Sequence, residues 1–212
     1  MEVLVLTSCV ASKKYGIAEI KPLLDKHNLP IPTDDLENER KYKEILKEFV
    51  LPASQMYEGS FKFVKELVNT LRKRGDEVDF FIISARYGLI DENTPIIPYE
   101  CTFKGLSKEE IRKKADKLEI YKKLIDLLRK KEYDEAIIIL GGDYLLTIFD
   151  KKRGKNFLQA LKAGKIIIFG SKQLEKLIRP DANIRLIPVS GLGDRNKKIK
   201  EFTLSLVQKK LV

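Results

Sequence analysis

Five short apolar runs, separated by long segments of helical periodicity, limit the folds open to this chain more than any other feature. Each run is bounded by turn residues and is rich in aliphatic side chains, which is typical of a buried strand. The runs are Glu2–Leu6, Phe80–Ile83, Ala136–Leu140, Lys165–Phe169 and Ile184–Ile187. Strands that alternate with helices predict a mostly parallel sheet of about five strands with helices on both faces.

We expect one α/β domain over residues 1–212, with inserted lobes or lids at about residues 21–52 and 91–106. Residues 21–33 contain three prolines and lack a period, which predicts an irregular segment. Apolar spacing and end signals predict two short helices, from Asn156 to Ala163 and after Ser171 to near Ile178, and four longer ones. The longer helices run from Asp34 or Asp35 to about Val50, from Ala53 to Gly75, from the Ser107–Glu110 capping box to about Lys131 as the longest helix, and after Arg195 to about Leu211.

The charge balance favours polyanionic partners. Lysine and arginine number 41 against 31 acidic residues, giving a net charge of +10. This favours nucleic acid or a nucleotide as the partner. The lysines alternate with glutamates along helices, so surface ion-pair networks of a heat-adapted protein are the alternative explanation.

Several classes of protein do not fit the composition. No run approaches the about 18 apolar residues that span a membrane, and no leader-like segment precedes the first strand, so we expect a cytoplasmic protein without membrane contact. Two cysteines and the single His27 provide no cluster with metal-ligand spacing and no histidine-based triad. We expect no metal and no cofactor, and the oligomeric state stays open.

The first strand is followed by candidate ligand-binding residues. Ser8 and Cys9 lie at its end, and Lys13 and Lys14 come soon after. Hydroxyls, backbone amides and ammonium groups in such a loop suit a phosphate or carboxylate. Cys9 is a nucleophile, a redox-sensitive thiol or a small buried side chain, and the last of these is favoured.

The second strand ends in a longer polar segment with Ser84, Arg86, Tyr87, Gly88 and Tyr99. Residues beyond the carboxyl ends of parallel strands converge on one crevice, so these are candidates for ligand contact or catalysis. The alternative is that Gly88 and the neighbouring prolines shape a turn on which the tyrosines pack.

Glycines mark the remaining candidate loops. Gly59 interrupts the helix predicted from Ala53 and lies beside Tyr57, where it permits either close ligand approach or helix packing. Further along, the third and last strands end in loops that combine glycines with polar side chains, an arrangement suited to an anionic ligand. These loops contain Gly141, Gly142, Asp143 and Tyr144 in one case and Ser190, Gly191 and Arg195 in the other.

Taken together, these loops resemble a family of unknown function that is distantly similar to the YaaA peroxide-stress proteins. The resemblance is carried by Ser8-Cys9 with Lys13-Lys14, Tyr57-Glu58-Gly59, Ser84-Ala85-Arg86-Tyr87-Gly88-Leu89-Ile90, Pro98-Tyr99 and Gly141-Gly142-Asp143-Tyr144. It implies DNA binding through a positively charged cleft, a helix-hairpin-helix-like element and a role in peroxide stress. Gly191-Leu192-Gly193 has the residue types of such a hairpin.

Two main hypotheses follow for the function of this protein. A third is that it is an interaction protein with a vestigial pocket. In the first, the protein binds nucleic acid: Lys13, Lys14, Arg86 and Arg195 contact phosphates, and Tyr87, Tyr99 or Tyr144 stacks on a base.

In the second hypothesis, the protein is an enzyme acting on a nucleotide, nucleoside or modified base, by hydrolysis or transfer at a glycosidic or phosphate bond. Arg86 or Lys13 then balances developing charge, Asp143 or Glu100 is the base, and Cys9 is a nucleophile, while Ser84 and Tyr99 complete the candidate catalytic set.

Overall fold

A six-stranded sheet forms the centre of the protein in a computed structural model that describes residues 1–178 and 183–208. The strands, in chain order, are β1 (Glu2–Ser8), β2 (Leu51–Pro52), β3 (Glu77–Ser84), β4 (Gly88–Asp91), β5 (Pro95–Ile96), β6 (Tyr133–Ile139), β7 (Phe149–Asp150), β8 (Lys155–Asn156), β9 (Ala163–Gly170) and β10 (Ile184–Pro188). The order across the sheet is β10-β9-β6-β1-β3-β4. The two remaining pairs, β2 with β5 and β7 with β8, are short antiparallel ribbons.

The α-helices, in chain order, are α1 (Ile17–Lys26), α2 (Glu39–Ile45), α3 (Ala53–Met56), α4 (Phe61–Arg74), α5 (Lys108–Lys117), α6 (Ile120–Leu128), α7 (Gly142–Leu145) and α8 (Leu192–Gln208). Short 3-10 helices occupy Leu36–Asn38, Lys47–Phe49, Lys151–Arg153, Phe157–Gln159 and Lys172–Lys176. The predicted end of the last helix, at about Leu211, lies outside the described residues. None of the described helices has the length and apolar character needed to cross a membrane.

The chain adds strands first on one side of β1 and then, from β6 onward, on its other side. Leu4 of β1 pairs in parallel with Asp79 of β3 on one side and with Ala136 of β6 on the other. The chain therefore builds one half of the sheet with β3 and β4 and then returns to build the other half with β6, β9 and β10. Loops that follow neighbouring strands at such a switch point diverge and leave a crevice at the carboxyl edge.

The predicted α/β class with a mostly parallel sheet is confirmed, and the five apolar runs are strands. The sixth strand, β4, lies in the segment that was predicted to be a loop. It pairs antiparallel with β3, with Ser84 opposite Gly88. Gly88 has a φ of +76°, a conformation that glycine adopts easily, and this permits the tight reversal between the two strands.

The segment predicted to be irregular, residues 21–33, is partly helical. Helix α1 includes Pro22 and extends to Lys26, because Ile20 and Leu24 are buried and their packing outweighs the cost of the proline. The helix predicted from Asp34 or Asp35 to Val50 is divided into α2 and two 3-10 turns. Together these elements enclose a second, small apolar cluster, which consists of Ile20, Leu24, Tyr42, Leu46 and Ile97.

Two further helices are shorter than their apolar periodicity predicts. Gly59, with a φ of +60°, separates α3 from α4, so the helix predicted from Ala53 to Gly75 is two helices. The helix predicted from Ser107 to Lys131 is divided into α5 and α6, because Glu119 adopts a left-handed conformation with a φ of +54°. The capping box that begins α5 is confirmed: Ser107 and Glu110 exchange hydrogen bonds between side chain and backbone.

Candidate functional site

The carboxyl edge of the sheet carries two cavities. The first cavity, of about 670 Å³, lies beyond the end of β1 and is lined by Cys9–Lys13, Tyr15–Ile17, Tyr99–Thr102 and Tyr144. The second cavity, of about 330 Å³, lies beyond the ends of β6, β9 and β10 and is lined by Leu140–Gly142, Leu145, Gly170, Ser171, Val189–Leu192 and Arg195. The loops predicted from the strand ends therefore meet at one edge, but around two separate volumes.

Cys9 and Tyr144 join the two halves of the sheet at the switch point. The Cys9 Sγ and Tyr144 Oη atoms lie 3.1 Å apart, and both residues line the first cavity. Only 5% of Cys9 is exposed, which agrees with the buried environment that was favoured for it. Burial raises the pKa of Tyr144, so its phenol stays neutral and remains a hydrogen-bond partner for the thiol.

A buried chain of hydroxyl groups fixes one wall of the first cavity. Tyr99 Oη lies 2.7 Å from Tyr57 Oη and 3.0 Å from Ser84 Oγ. Ser84 Oγ also accepts hydrogen bonds from the backbone N–H groups of Arg86 and Tyr87. Burial raises the pKa of both Tyr57 and Tyr99 well above the ordinary value, so both phenols are neutral. The network holds the Tyr99 ring in place, while Ser84 and Tyr57 support it from behind the cavity wall.

Lys13 places a cation on this wall. Its Nζ atom lies 4.2 Å from the centroid of the Tyr99 ring and donates a hydrogen bond to the Ala11 carbonyl. Burial lowers the pKa of Lys13, although the nearby Cys9, Cys101 and Glu100 act in the opposite direction. A short antiparallel bridge to Tyr57 fixes the Lys13 backbone. The adjacent Lys14 is exposed and does not line the cavity.

The residues that follow Tyr99, Glu100–Thr102, also line the first cavity. Cys101 donates a hydrogen bond to the Ala85 carbonyl and accepts one, of 2.8 Å, from Lys114 Nζ. Burial raises the pKa of the Cys101 thiol despite the neighbouring ammonium group. Glu100 is exposed and brings a carboxylate to the same cavity. The first cavity is therefore surrounded by a cation, a carboxylate, two sulfur atoms and several phenol rings.

Arg86 faces away from both cavities. Its side chain is fully buried and donates to Asp35 Oδ1 at 2.7 Å and to Glu39 Oε2 at 2.9 Å, with a further contact to the Thr33 carbonyl. Burial alone would lower the pKa of Arg86, but the two carboxylates raise it above its ordinary value. Its charge is thus matched by Asp35, which precedes α2, and by Glu39, the first residue of α2, and it is not free to contact a phosphate.

Other predicted residues also lie outside the first cavity. Gly88 packs against the Leu118 carbonyl, and the Tyr87 hydroxyl donates to Glu39, so both stabilise the turn after β3. Gly59 lies against Ser12, where an added Cβ would meet the Ser12 Cβ at 3.1 Å. The Asp143 side chain is exposed at the beginning of α7 and lines neither cavity. Ser8 is buried at the end of β1 and does not reach the cavity surface.

The second cavity contains the remaining predicted residues. Gly141, Gly142, Ser190, Gly191 and Arg195 all line it, and Ser190 is bound by Asp194 through its N–H and hydroxyl groups. Within residues 1–178 and 183–208, no group of three or more histidine, cysteine or acidic side chains is arranged to hold a metal ion.

A model of a family of unknown function, DUF6884, matches residues 45–177, which is more than half of the chain. The chain belongs to the DUF6884 family. No curated protein and no solved structure matches it. A relationship of this DUF6884 protein to YaaA stays a prediction from the motifs above.

The match covers only part of each cavity. Residues 45–177 of this DUF6884 protein include Tyr99, Cys101 and Tyr144, but neither the β1 loop with Lys13 nor helix α8 with Arg195. The family model thus covers Tyr99 and Tyr144 of the first cavity. Of the two cations that line the cavities, Lys13 precedes the matched region and Arg195 follows it.

Sequence reasoning missed several residues that line the first cavity. Ser12, Tyr15, Cys101 and Thr102 were given no role, although all four lie within a few residues of ones that were. Their positions in the sequence could have indicated them. Tyr15 follows Lys14 directly, and Cys101 and Thr102 follow Tyr99 and Glu100 in a loop that lacks any period. A loop that leaves a strand end contributes neighbouring side chains as well as its first ones.

Proposed function

We propose that the first cavity binds a nucleoside, a nucleotide or a modified base, and that the protein catalyses hydrolysis or transfer at a glycosidic or phosphate bond of this ligand. The observation that carries this proposal is the position of Lys13 Nζ, 4.2 Å from the Tyr99 ring in a cavity at the switch point of the sheet. Concave sites with aromatic walls and a few polar groups are typical of small-ligand binding.

Each residue type in the cavity suits part of such a ligand. The phenol rings of Tyr15 and Tyr144 provide flat apolar surface for a base, and the Lys13 ammonium attracts an anionic group or a developing negative charge. Glu100 is the carboxylate that lines the cavity, so it takes the role of base that the sequence left between Glu100 and Asp143. Cys9 is the candidate nucleophile, with its thiol beside the Tyr144 hydroxyl.

A second candidate function is nucleic-acid binding, which the net charge of +10 favours. It differs from the first in its salt dependence and in the residues involved. Binding to phosphates along a strand weakens steeply with salt and depends on many surface lysines. Binding of one nucleoside in the first cavity depends on Lys13 and little on salt.

The test is calorimetric titration of the protein with a panel of nucleosides, nucleotides and free bases, followed by product analysis for any that bind. Lys13→Ala is compared with Lys14→Ala, which removes the same charge from the neighbouring position outside the cavity. We expect a ligand of the panel to bind the wild type and Lys14→Ala alike, and Lys13→Ala at least about tenfold more weakly.

Binding that is equal in both lysine variants would contradict the assignment of the first cavity. Salt-sensitive binding of single- or double-stranded DNA that both variants reduce alike, with no binding of the small ligands, would favour the second function instead. Turnover that survives Glu100→Gln and Cys9→Ala would remove these two residues from the mechanism.

A further inference from the structure

The second cavity combines a cation with backbone that any ligand can approach closely. It lies beyond the ends of the three parallel strands β6, β9 and β10, and its residues come from the loop that follows each. We propose that this cavity binds a phosphate group and that Arg195 is its cationic partner. The proposal goes beyond the function proposed above, because it concerns a separate volume and assumes nothing about the ligand of the first cavity.

Arg195 is an arginine without a partner. It lies in the first turn of α8, and within residues 1–178 and 183–208 its side chain makes no hydrogen bond or ion pair. Its Nε atom is buried and unpaired, and burial lowers the pKa of the guanidinium. By contrast, Arg86 and Arg112, whose side chains are 0% and 14% exposed, are both matched by carboxylates. Desolvating a charge without compensation costs free energy, which a bound anion offsets.

Three glycines line the cavity although the fold does not require glycine there. At Gly142 and Gly191 an added Cβ would meet no atom within 4 Å, and at Gly141 it would meet only Arg195 Nη1, at 4.0 Å. None of the three has a positive φ. The contrast is Gly170 in the same cavity, where an added Cβ would lie 2.8 Å from Leu174. Packing thus explains Gly170, while the other three leave their backbone open to a ligand.

The chemistry of the lining favours a phosphate group. Donors reach the cavity from all three strand ends: the Arg195 guanidinium, the Ser171 hydroxyl, which has no hydrogen-bond partner among the described residues, and the glycine backbone. The nearby Asp194 is turned towards Ser190 and Lys198 and does not line the cavity. A phosphate group presents several oxygens in different directions, so it uses donors from several sides better than a carboxylate does.

The first test titrates the protein with inorganic phosphate in chloride buffer by calorimetry. We expect saturable binding at one site, weakened at least about tenfold in Arg195→Gln. Arg185→Gln is the matched control, since it removes the same charge from an exposed position on β10 outside the cavity. Lys13→Ala should bind phosphate like the wild type, which separates this proposal from the one for the first cavity.

A second pair of variants keeps the test valid if Arg195→Gln fails to fold. Gly142→Ala places a methyl group in the cavity without a clash, and Gly193→Ala adds a methyl group, also without a clash, at a position that does not line the cavity. We expect Gly142→Ala to lose phosphate affinity and Gly193→Ala to keep it, with thermal stability in the absence of phosphate at or above that of the wild type in both. No saturable binding by the wild type, equal affinities in the two glycine variants, or equal effects of the two arginine variants would each overturn the proposal.

Discussion

The hydroxyl oxygens of Tyr57 and Tyr99 lie 2.7 Å apart, and both side chains are buried. Tyr57 is fixed at the end of α3 and bridges to Lys13, while Tyr99 belongs to the loop after β5 and carries Lys13 on its ring. The pair therefore connects two loops that are 42 residues apart in the chain, and it sets the position of the Lys13 ammonium group in the first cavity.

Tyr99→Phe should destabilise the protein without creating a cavity. The change removes one hydroxyl and leaves Tyr57 Oη and Ser84 Oγ each with one partner fewer, and both of these residues are fully buried. We expect the free energy of unfolding to fall by about 1–3 kcal/mol in urea denaturation. Tyr15→Phe is the control, because its hydroxyl makes no hydrogen bond in the described part of the chain and should change stability by less than about 0.5 kcal/mol. Equal losses in both variants would contradict the network.

The buried phenols should also limit stability at alkaline pH. The unfolded chain ionises its tyrosines near pH 10. In the folded chain burial raises the pKa of Tyr57 and Tyr99 well above this. Their contribution is therefore fully present below about pH 10 and is lost as the pH rises further. Between about pH 8 and 11 the melting temperature should fall more steeply for the wild type than for the double variant Tyr57→Phe/Tyr99→Phe. Parallel curves of melting temperature against pH would refute the raised pKa values of the two tyrosines.

Replacing Arg86 should cost far more than replacing an exposed arginine. Arg86→Met leaves the carboxylates of Asp35 and Glu39 half-buried without their cation, so we expect a loss of about 3–5 kcal/mol in the free energy of unfolding. Arg40→Met breaks an ion pair with Glu44 in which the arginine side chain is 93% exposed, and it should change stability by less than about 1 kcal/mol. Chemical denaturation measures both, and a small effect of Arg86→Met would show that the buried pairs contribute little.

The same cluster predicts sensitivity to acid. Burial alone would raise the pKa of Asp35, but hydrogen bonds from Tyr42, Arg86 and the Thr33 backbone lower it to about 2. A carboxyl whose folded pKa is depressed stabilises the fold above its unfolded pKa, near 3.9, and loses this contribution as the pH falls towards about 2. The stability difference between wild type and Asp35→Asn should shrink over that interval, and a constant difference would contradict the shift.

Gly59→Ala should destabilise the junction between α3 and α4 by two separable effects. The residue has a φ of +60°, and an added Cβ would meet Ser12 Cβ at 3.1 Å. We expect a loss of about 1–2 kcal/mol from the backbone conformation, plus a steric part that Ser12→Gly relieves in the double variant. Gly193→Ala, inside α8 with open space around the new methyl group, should not destabilise the protein. Complete rescue by Ser12→Gly would show that the backbone part is absent.

The sequence predicted five of the strands, because burial on both faces leaves continuous apolar runs. The strands β2, β5, β7 and β8 have two residues each and are too short to leave such a run. It did not reveal β4, since a strand of four residues at a sheet edge shows little period. It also did not reveal that Pro22 lies inside α1, because packing of Ile20 and Leu24 decides that segment.

For the site, the convergence of strand ends predicted that Cys9, Tyr99 and Tyr144 lie together, and they line one cavity. Whether they bind a ligand stays a prediction. The sequence did not show that carboxylates match the charge of Arg86, because its partners Asp35 and Glu39 lie 51 and 47 residues away in the chain and their helical pattern does not indicate which residue they contact. Nor did it separate the two cavities, since that separation depends on the order of the strands.

The central place of β1 in the sheet has a consequence for biosynthesis. Its apolar residues are made before both of their neighbours, because Val3 pairs with Val78 on one side and with Glu135 on the other. During translation this strand therefore leaves the ribosome with two unsatisfied edges, and it is enclosed only after β6 has emerged. Such long-range pairing slows folding and leaves an apolar segment open to chaperones in the meantime. The crevice at the switch point accordingly forms only after β6 and the following Tyr144 have emerged.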